Sequence, residues 1–144
     1  MQILDILSGL ALSSLVSSAP DLSSTRPATV PTWTLTDVSR SCTETDDECT
    51  YSFGIDSSIH DTVQCEYSVS GQSASSATVT DALCGPFTIN SSWNGQFGVD
   101  AAFTIISVTD GKYIAWPAYT DQELDGGNVV QPDRAYEVYS VADL

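Results

Sequence analysis

Basic residues are scarce in this chain: Lys and Arg total 4 against 19 Asp and Glu, and His60 is the one histidine. A formal net charge of -15 repels phosphate backbones and anionic headgroups alike, which argues against nucleic acid and a charged membrane surface as partners. Long apolar runs are missing too. Residues 6–16 form the best one, broken by Ser and Gly, and it is shorter than the roughly 20 residues that a bilayer span needs. No segment sustains the i, i+3, i+4, i+7 pattern over three turns, and no internal repeat is visible. A single histidine cannot supply the histidine pair of a guanyl-type ribonuclease, and no G-x-S-x-G marks a serine nucleophile. From the residues we assign no catalytic group, no metal and no cofactor.

What is present first points outward from the cell. The apolar run at 6–16 is followed by Ser17-Ser18-Ala19 and Pro20, which is the core and cleavage grammar of a secretory signal peptide. We expect a signal segment at 1–19 and a flexible Pro/Ser/Thr leader at 20–31. A single β-domain is expected over 32–144, secreted and extracellular, with no membrane span. Cys42, Cys49, Cys65 and Cys84 are an even set behind that signal, which reads as two disulfides. Three pairings are possible, and closing the most local loops favours Cys42–Cys49 with Cys65–Cys84. The spacings C-x6-C and C-x18-C are not those of zinc ribbons.

Between Gly, Asp, Asn and Ser punctuation, period-2 patterns recur. Trp33 and Leu35 share a face, as do Cys49, Tyr51, Phe53 and Ile55, and then Cys65, Tyr67 and Val69. Val79 leads a fourth strand to Cys84, and Phe87 and Ile89 make a fifth that should end near Asn90-Ser91. Residues 103–109 are apolar on both faces, so this strand should be central. Asp110-Gly111 suits a type I′ turn, and residues 112–116 return until Pro117 removes a ladder donor. A last strand is expected over 134–141. The one helical turn expected is 120–124, where Thr120 and Glu123 have capping-box spacing. About seven short strands argue an all-β fold, a small antiparallel β-sandwich or β-barrel.

The residues that could recognise something lie in loops. Glu44, Asp46, Asp47 and Glu48 fill the expected Cys42–Cys49 loop, where water would screen them, so we read a solvated acidic face. A glycosidase needs two carboxyls across a cleft, and a tight exposed loop is a poor place for that pair. Asp121-x-Glu123-x-Asp125-Gly126 looks like the front half of an EF-hand loop. Position 12 of that register is Pro132, so the bidentate ligand is missing, and an acidic loop closed by Gly126-Gly127 is the better reading. Trp33, Trp93, Trp116 and six tyrosines could stack on sugars, although aromatics at strand positions belong to cores more often. Trp93, beside Asn94 among polar turn formers, is the best candidate for exposure. Asn90-Ser91-Ser92 is an N-glycosylation sequon. His60 reads as a loop histidine.

Larger blocks carry a resemblance. They are Trp33-Thr34-Leu35, then Cys49-Thr50-Tyr51-Ser52-Phe53-Gly54-Ile55, Cys84-Gly85-Pro86-Phe87-Thr88, and Ser91-Ser92-Trp93-x-Gly95-Gln96-Phe97-Gly98. Trp116-Pro117-Ala118-Tyr119-Thr120-Asp121-x-Glu123-Leu124 and Gly126-Gly127 complete them. Across residues 33–136 the chain resembles the small secreted fungal proteins described as hypersensitive-response-inducing elicitors. The resemblance implies a small secreted β-fold with two disulfides and a role where fungus meets plant. It brings no catalytic residues. We therefore expect an effector or elicitor that is not an enzyme and acts by surface recognition. Its expected partner is an unidentified plant cell-surface or apoplastic protein. A cell-wall carbohydrate-binding module and an uncharacterised hydrolase are the alternatives, the first with wall polysaccharide as partner.

Overall fold

The alternation along the chain becomes two antiparallel sheets in a computed structural model that describes residues 31–144. The expected signal segment and all but the last residue of the expected leader lie outside the described residues. The strands are β1 (Thr32–Cys42), β2 (Glu48–Asp56), β3 (Val63–Ser70), β4 (Val79–Cys84) and β5 (Phe87–Asn94). They continue with β6 (Phe103–Thr109), β7 (Tyr113–Ala115), β8 (Ala118–Thr120), β9 (Arg134–Glu137) and β10 (Tyr139–Ser140). One sheet has the order β3-β2-β1-β9 and the other β10-β7-β6-β5-β4, with β8 also paired to β6.

The inward faces are largely those read from the sequence. Trp33, Leu35, Cys49, Tyr51, Phe53, Ile55, Cys65, Phe87 and Ile89 are buried between the sheets. Trp33 meets Phe87 edge-on at 5.2 Å across the sheets, and Tyr51 stacks on Tyr67 at 5.0 Å within one. Both arrangements suit ring quadrupoles. β6 lies between β5 and the short strands β7 and β8, so it is central as expected. Thr120 and Glu123 form the capping box on α1 (Asp121–Leu124): Glu123 N donates to Thr120 Oγ1 at 3.2 Å, and Thr120 N donates to Glu123 Oε2 at 2.9 Å.

Three expectations are corrected. β5 does not end at Asn90-Ser91 but pairs with β6 as far as Asn94↔Phe103. Its polar residues looked like a turn, yet they alternate: Ser91 is buried while Asn90 and Ser92 face outward. The β6–β7 connection is not a two-residue type I′ turn. Pairing closes at Thr109↔Ile114, and among residues 110–113 only Gly111 has positive φ (93°). Asp110 Oδ1 accepts from Lys112 N at 2.9 Å and Tyr113 N at 2.8 Å, so its side chain builds the turn. The last strand is broken at Val138. β9 pairs with β1 in one sheet and β10 with β7 in the other, so the chain changes sheet there. Val138 is buried at the crossing, and its N–H donates to Pro31 O at 3.0 Å.

The most consequential irregularity is in β1. Its pairing with β2 slips between Thr36 and Ser39, where Asp37 has φ 49°. This β-bulge resets the phase of the strand. Trp33 and Leu35 face inward before it, and Val38 and Arg40 after it. Asp37 is tied down from the 131–133 segment: Asp133 Oδ1 accepts from Asp37 N at 2.9 Å, and Gln131 Nε2 donates to Asp37 Oδ1 at 3.1 Å.

Two disulfides have the expected pairing and different jobs. Cys42–Cys49 joins directly opposed residues of the β1–β2 hairpin, and Cys65–Cys84 ties β3 in one sheet to β4 in the other. Replacing Cys65 and Cys84 by Ser should cost about 3 kcal/mol, and the same change at Cys42 and Cys49 about 2 kcal/mol, from loop-closure entropy alone. Urea unfolding of the two double variants checks this. An equal or reversed order would show that the inter-sheet tie is not the stronger staple.

Candidate functional site

A guanidinium sits at the edge of the core. The bulge at Asp37 turns Arg40 inward, where it is only 3% exposed. A buried cation demands acceptors, and they come from three separate segments. Arg40 Nη1 donates to Asp121 Oδ1 at 3.2 Å and to Ser75 O at 3.3 Å, and Nη2 donates to Asp125 Oδ1 at 3.0 Å. Asp121 has a second role: its Oδ2 accepts from Trp93 Nε1 at 2.9 Å.

The β1–β2 loop joins the same cluster. Asp46, at φ 53°, is half-buried, and its carboxylate accepts from Ser75 N at 2.9 Å and Ser75 Oγ at 2.6 Å. Its own carbonyl accepts from Ala74 N at 2.8 Å. A 3-10 turn (Ala74–Ser76) thus bridges Asp46 and Arg40. Residues 43–48, 90–98 and 121–128, where recognition loops were expected, are connected through Trp93, Asp121, Arg40, Ser75 and Asp46, but only the first is mainly loop: 90–94 is the end of β5 and 121–124 is α1. Between the first and the third of these segments lies an open depression of about 370 Å³, with Arg40, Asp46, Asp125 and Gly127 in its wall. Gly126 and Gly127 have φ 79° and 71°, a left-handed pair that lets the chain turn back beside β1 after Asp125.

The other expected residues separate into free and engaged groups. Glu44, Asp47 and Glu48 are exposed, as a solvated acidic face requires. The Thr43 hydroxyl, with help from Thr45, holds the Asp47 carboxyl below its ordinary range. Trp93 is partly exposed, and its ring lies over Gly95, where a Cβ would come within 2.2 Å of the indole. Asn94 Oδ1 accepts from Gln96 N at 2.9 Å and shapes that loop.

Glu123 faces Arg134 in an ion pair while it also caps α1. The Arg134 guanidinium is the main cause holding the Glu123 carboxyl below its usual 4.5, with the Thr120 backbone N–H assisting against burial. Arg134 is raised above its ordinary value by the same pairing and stands 5.3 Å from the centre of the Tyr119 ring. The three acids of the EF-hand-like run are therefore divided between two arginines. Cys42, Asp46 and Cys49 also come together, but both sulfurs are in the disulfide and offer no thiolate. His60 is exposed in its loop, its ring 6.4 Å from that of Phe87, and no carboxylate bonds it among the described residues.

Arg40, Ser75 and Arg134 were not singled out from the sequence. For Arg40 the signal is one polar residue too many: Leu35-Thr36-Asp37-Val38 breaks strict alternation, and the phase after the break puts Arg40 on the inner face.

The comparisons with known proteins agree on one family. The family model described as Effector TSP1 matches residues 34–143. A curated relative, Effector TSP1 of Hypocrea virens (strain Gv29-8 / FGSC 10586), is 44% identical over 112 residues, which are 76% of this chain and 76% of that protein.

The Glu123–Arg134 pair makes stability depend on pH. The folded carboxyl titrates below its usual 4.5, so its contribution is complete above that value and fades as pH falls through the lower folded value. Glu123→Gln keeps the cap and removes the charge. Both partners are about a third exposed, so the loss at neutral pH should be only about 0.5 kcal/mol. Urea titrations of both proteins should show this gap closing in acid; a gap that persists there would assign the effect to something other than the ion pair.

Proposed function

The chain belongs to the Effector TSP1 family, and from that premise we propose that it is a secreted fungal effector that plant cells detect, answering with a defence response of the hypersensitive kind. It acts by presenting a folded surface and not by turnover. Secretion is supported by the apolar run at 6–16, the small residues before position 20 and the paired cysteines. No helix among the described residues is long and apolar enough to cross a membrane.

The observation that carries the reading is the linkage of three segments through Arg40. Loops hold recognition residues because they tolerate change while a scaffold positions them. Here the segments 43–48, 90–98 and 121–128, whose loops adjoin the ends of β5 and α1, are bound to one another by a buried guanidinium, Ser75 and their carboxylates, which supports one face of fixed shape. That face keeps Glu44, Asp47, Glu48 and the partly exposed Trp93 at its surface. An indole amid acids suits a partner with a basic rim and an apolar pocket. The acids of the cluster are occupied with structural bonds, which favours binding over acid–base chemistry.

Replacing exposed residues of each segment by Ser in turn (Glu44 with Asp47, Gln96 with Phe97, Gln122 with Asn128), with circular dichroism to confirm folding, should reduce the plant-cell response for at least one segment. The response to the intact protein should saturate with dose. If all three variants remain as active as the original, or if a denatured peptide acts equally well, recognition of the folded face is wrong.

A further inference from the structure

We propose that Asn90 carries an N-linked glycan whose first N-acetylglucosamine lies against the indole of Trp116, in a groove on the outer face of the β4–β5–β6 sheet. The sequon Asn90-Ser91-Ser92 meets the acceptor rule, but three features of the fold make it more than a sequence match. First, the pleat of β5 turns Ile89 and Ser91 inward and Asn90 and Ser92 outward, although the strand is paired on both sides.

Second, the amide is already oriented. β4 carries its own bulge, with Asp81 at φ 54° and a register slip between Val79 and Ala82. Asn90 Oδ1 accepts from Asp81 N at 2.9 Å. Among the described residues Nδ2 donates no hydrogen bond and is not a buried unpaired atom, and Asn90 lines an open groove. Glycosylation uses Nδ2 alone and leaves the Oδ1 bond to the bulge intact.

Third, the space beside Asn90 has the chemistry of a sugar site. A groove of about 310 Å³ is lined there by Thr80, Ser92, Ser107, Ile105 and Trp116, and none of its lining residues is charged. Trp116 is 42% exposed, so part of its indole is open at this groove. A pyranose ring has a C–H face for the indole and an edge of hydroxyls for Ser and Thr. An uncharged glycan is also the polymer that this acidic protein does not repel.

In the transfer step Asn90 Nδ2 attacks the anomeric carbon of a lipid-linked oligosaccharide diphosphate. The C1–N bond forms, the C1–O bond to the diphosphate breaks, and the lipid diphosphate leaves. The proton lost from Nδ2 passes to the enzyme's base. The step belongs to the unfolded, entering chain, and the sugar settles on Trp116 as β5 takes its place.

The inference rests on the proposed secretion. Expression in a eukaryotic host behind that host's own secretion leader enforces the passage, so a bare Asn90 would speak against this site and not against secretion. Intact-mass measurement of the purified protein should show a glycan, removed by peptide-N-glycosidase with deamidation at position 90. Ser92→Ala should abolish it while keeping the Asn90–Asp81 bond and the fold, and Asn90→Gln serves as the second sequon variant. In NMR spectra the N-acetyl methyl of the first sugar should be shifted upfield by the indole, and Trp116→Ala should return it to the position of a free glycan. An unmodified Asn90, or a methyl that Trp116→Ala does not move, would overturn the proposal.

Discussion

One buried cation organises the acidic face of this protein. Arg40 is withdrawn from water at the edge of the core, and removing a guanidinium from water costs several kcal/mol unless charged and polar acceptors surround it. Asp121, Asp125 and the carbonyl of Ser75 are those acceptors, and they come from α1, the turn after it and the 3-10 turn before β4. Two of them are also held from behind. Asp121 is bound by the indole of Trp93, Ser75 by Asp46, and α1 is fixed by its capping box. The structure around Arg40 is therefore a set of mutual constraints: loosening one member leaves either a charge without a partner or a loop without an anchor.

The constraint begins with the backbone. β1 would point residue 40 to the outer face if its alternation ran unbroken from Trp33. The bulge at Asp37 inserts one residue and reverses the phase, and the 131–133 segment secures it through Asp133 and Gln131. A second bulge, at Asp81, is secured by Asn90 in the same manner. In both, a side-chain oxygen, a carboxylate in one and an amide in the other, accepts the N–H that the ladder leaves unpaired, which lets an Asp stand at positive φ. These two irregularities position the two features proposed to matter outside the cell, the acidic face and the groove at Trp116.

The contrast between what could and could not be read follows from range. The faces of the first half of β1, of β2 and of β3, the disulfide pairing and the Thr120–Glu123 cap depend on residues near one another in sequence, and all were legible. The extra polar residue between Leu35 and Val38 marks the bulge at Asp37, but the partner that secures it, Asp133, is 96 positions away, and Arg40 was missed with it. The polar run Asn90-Ser91-Ser92 resembled a turn because alternation of two small polar residues has no hydrophobic contrast, yet β6 pairs along all of it. Asp46, Asp121 and Asp125 were visible as acids, but their bonds to Ser75 and Arg40 were not. Membership of the Effector TSP1 family places the fold among fungal effectors, while the local chemistry explains how such a face could be kept rigid.

The central claim is that Arg40 couples three segments into one unit. Hydrogen exchange followed by mass spectrometry on Arg40→Lys tests it most directly, because lysine keeps the charge but cannot span three acceptors in the fixed fork of a guanidinium. The account predicts faster exchange at residues 43–48, 90–98 and 121–128 together, with the amides of β2 and β6 still protected. Faster exchange confined to one of these segments, or none at all, would contradict it.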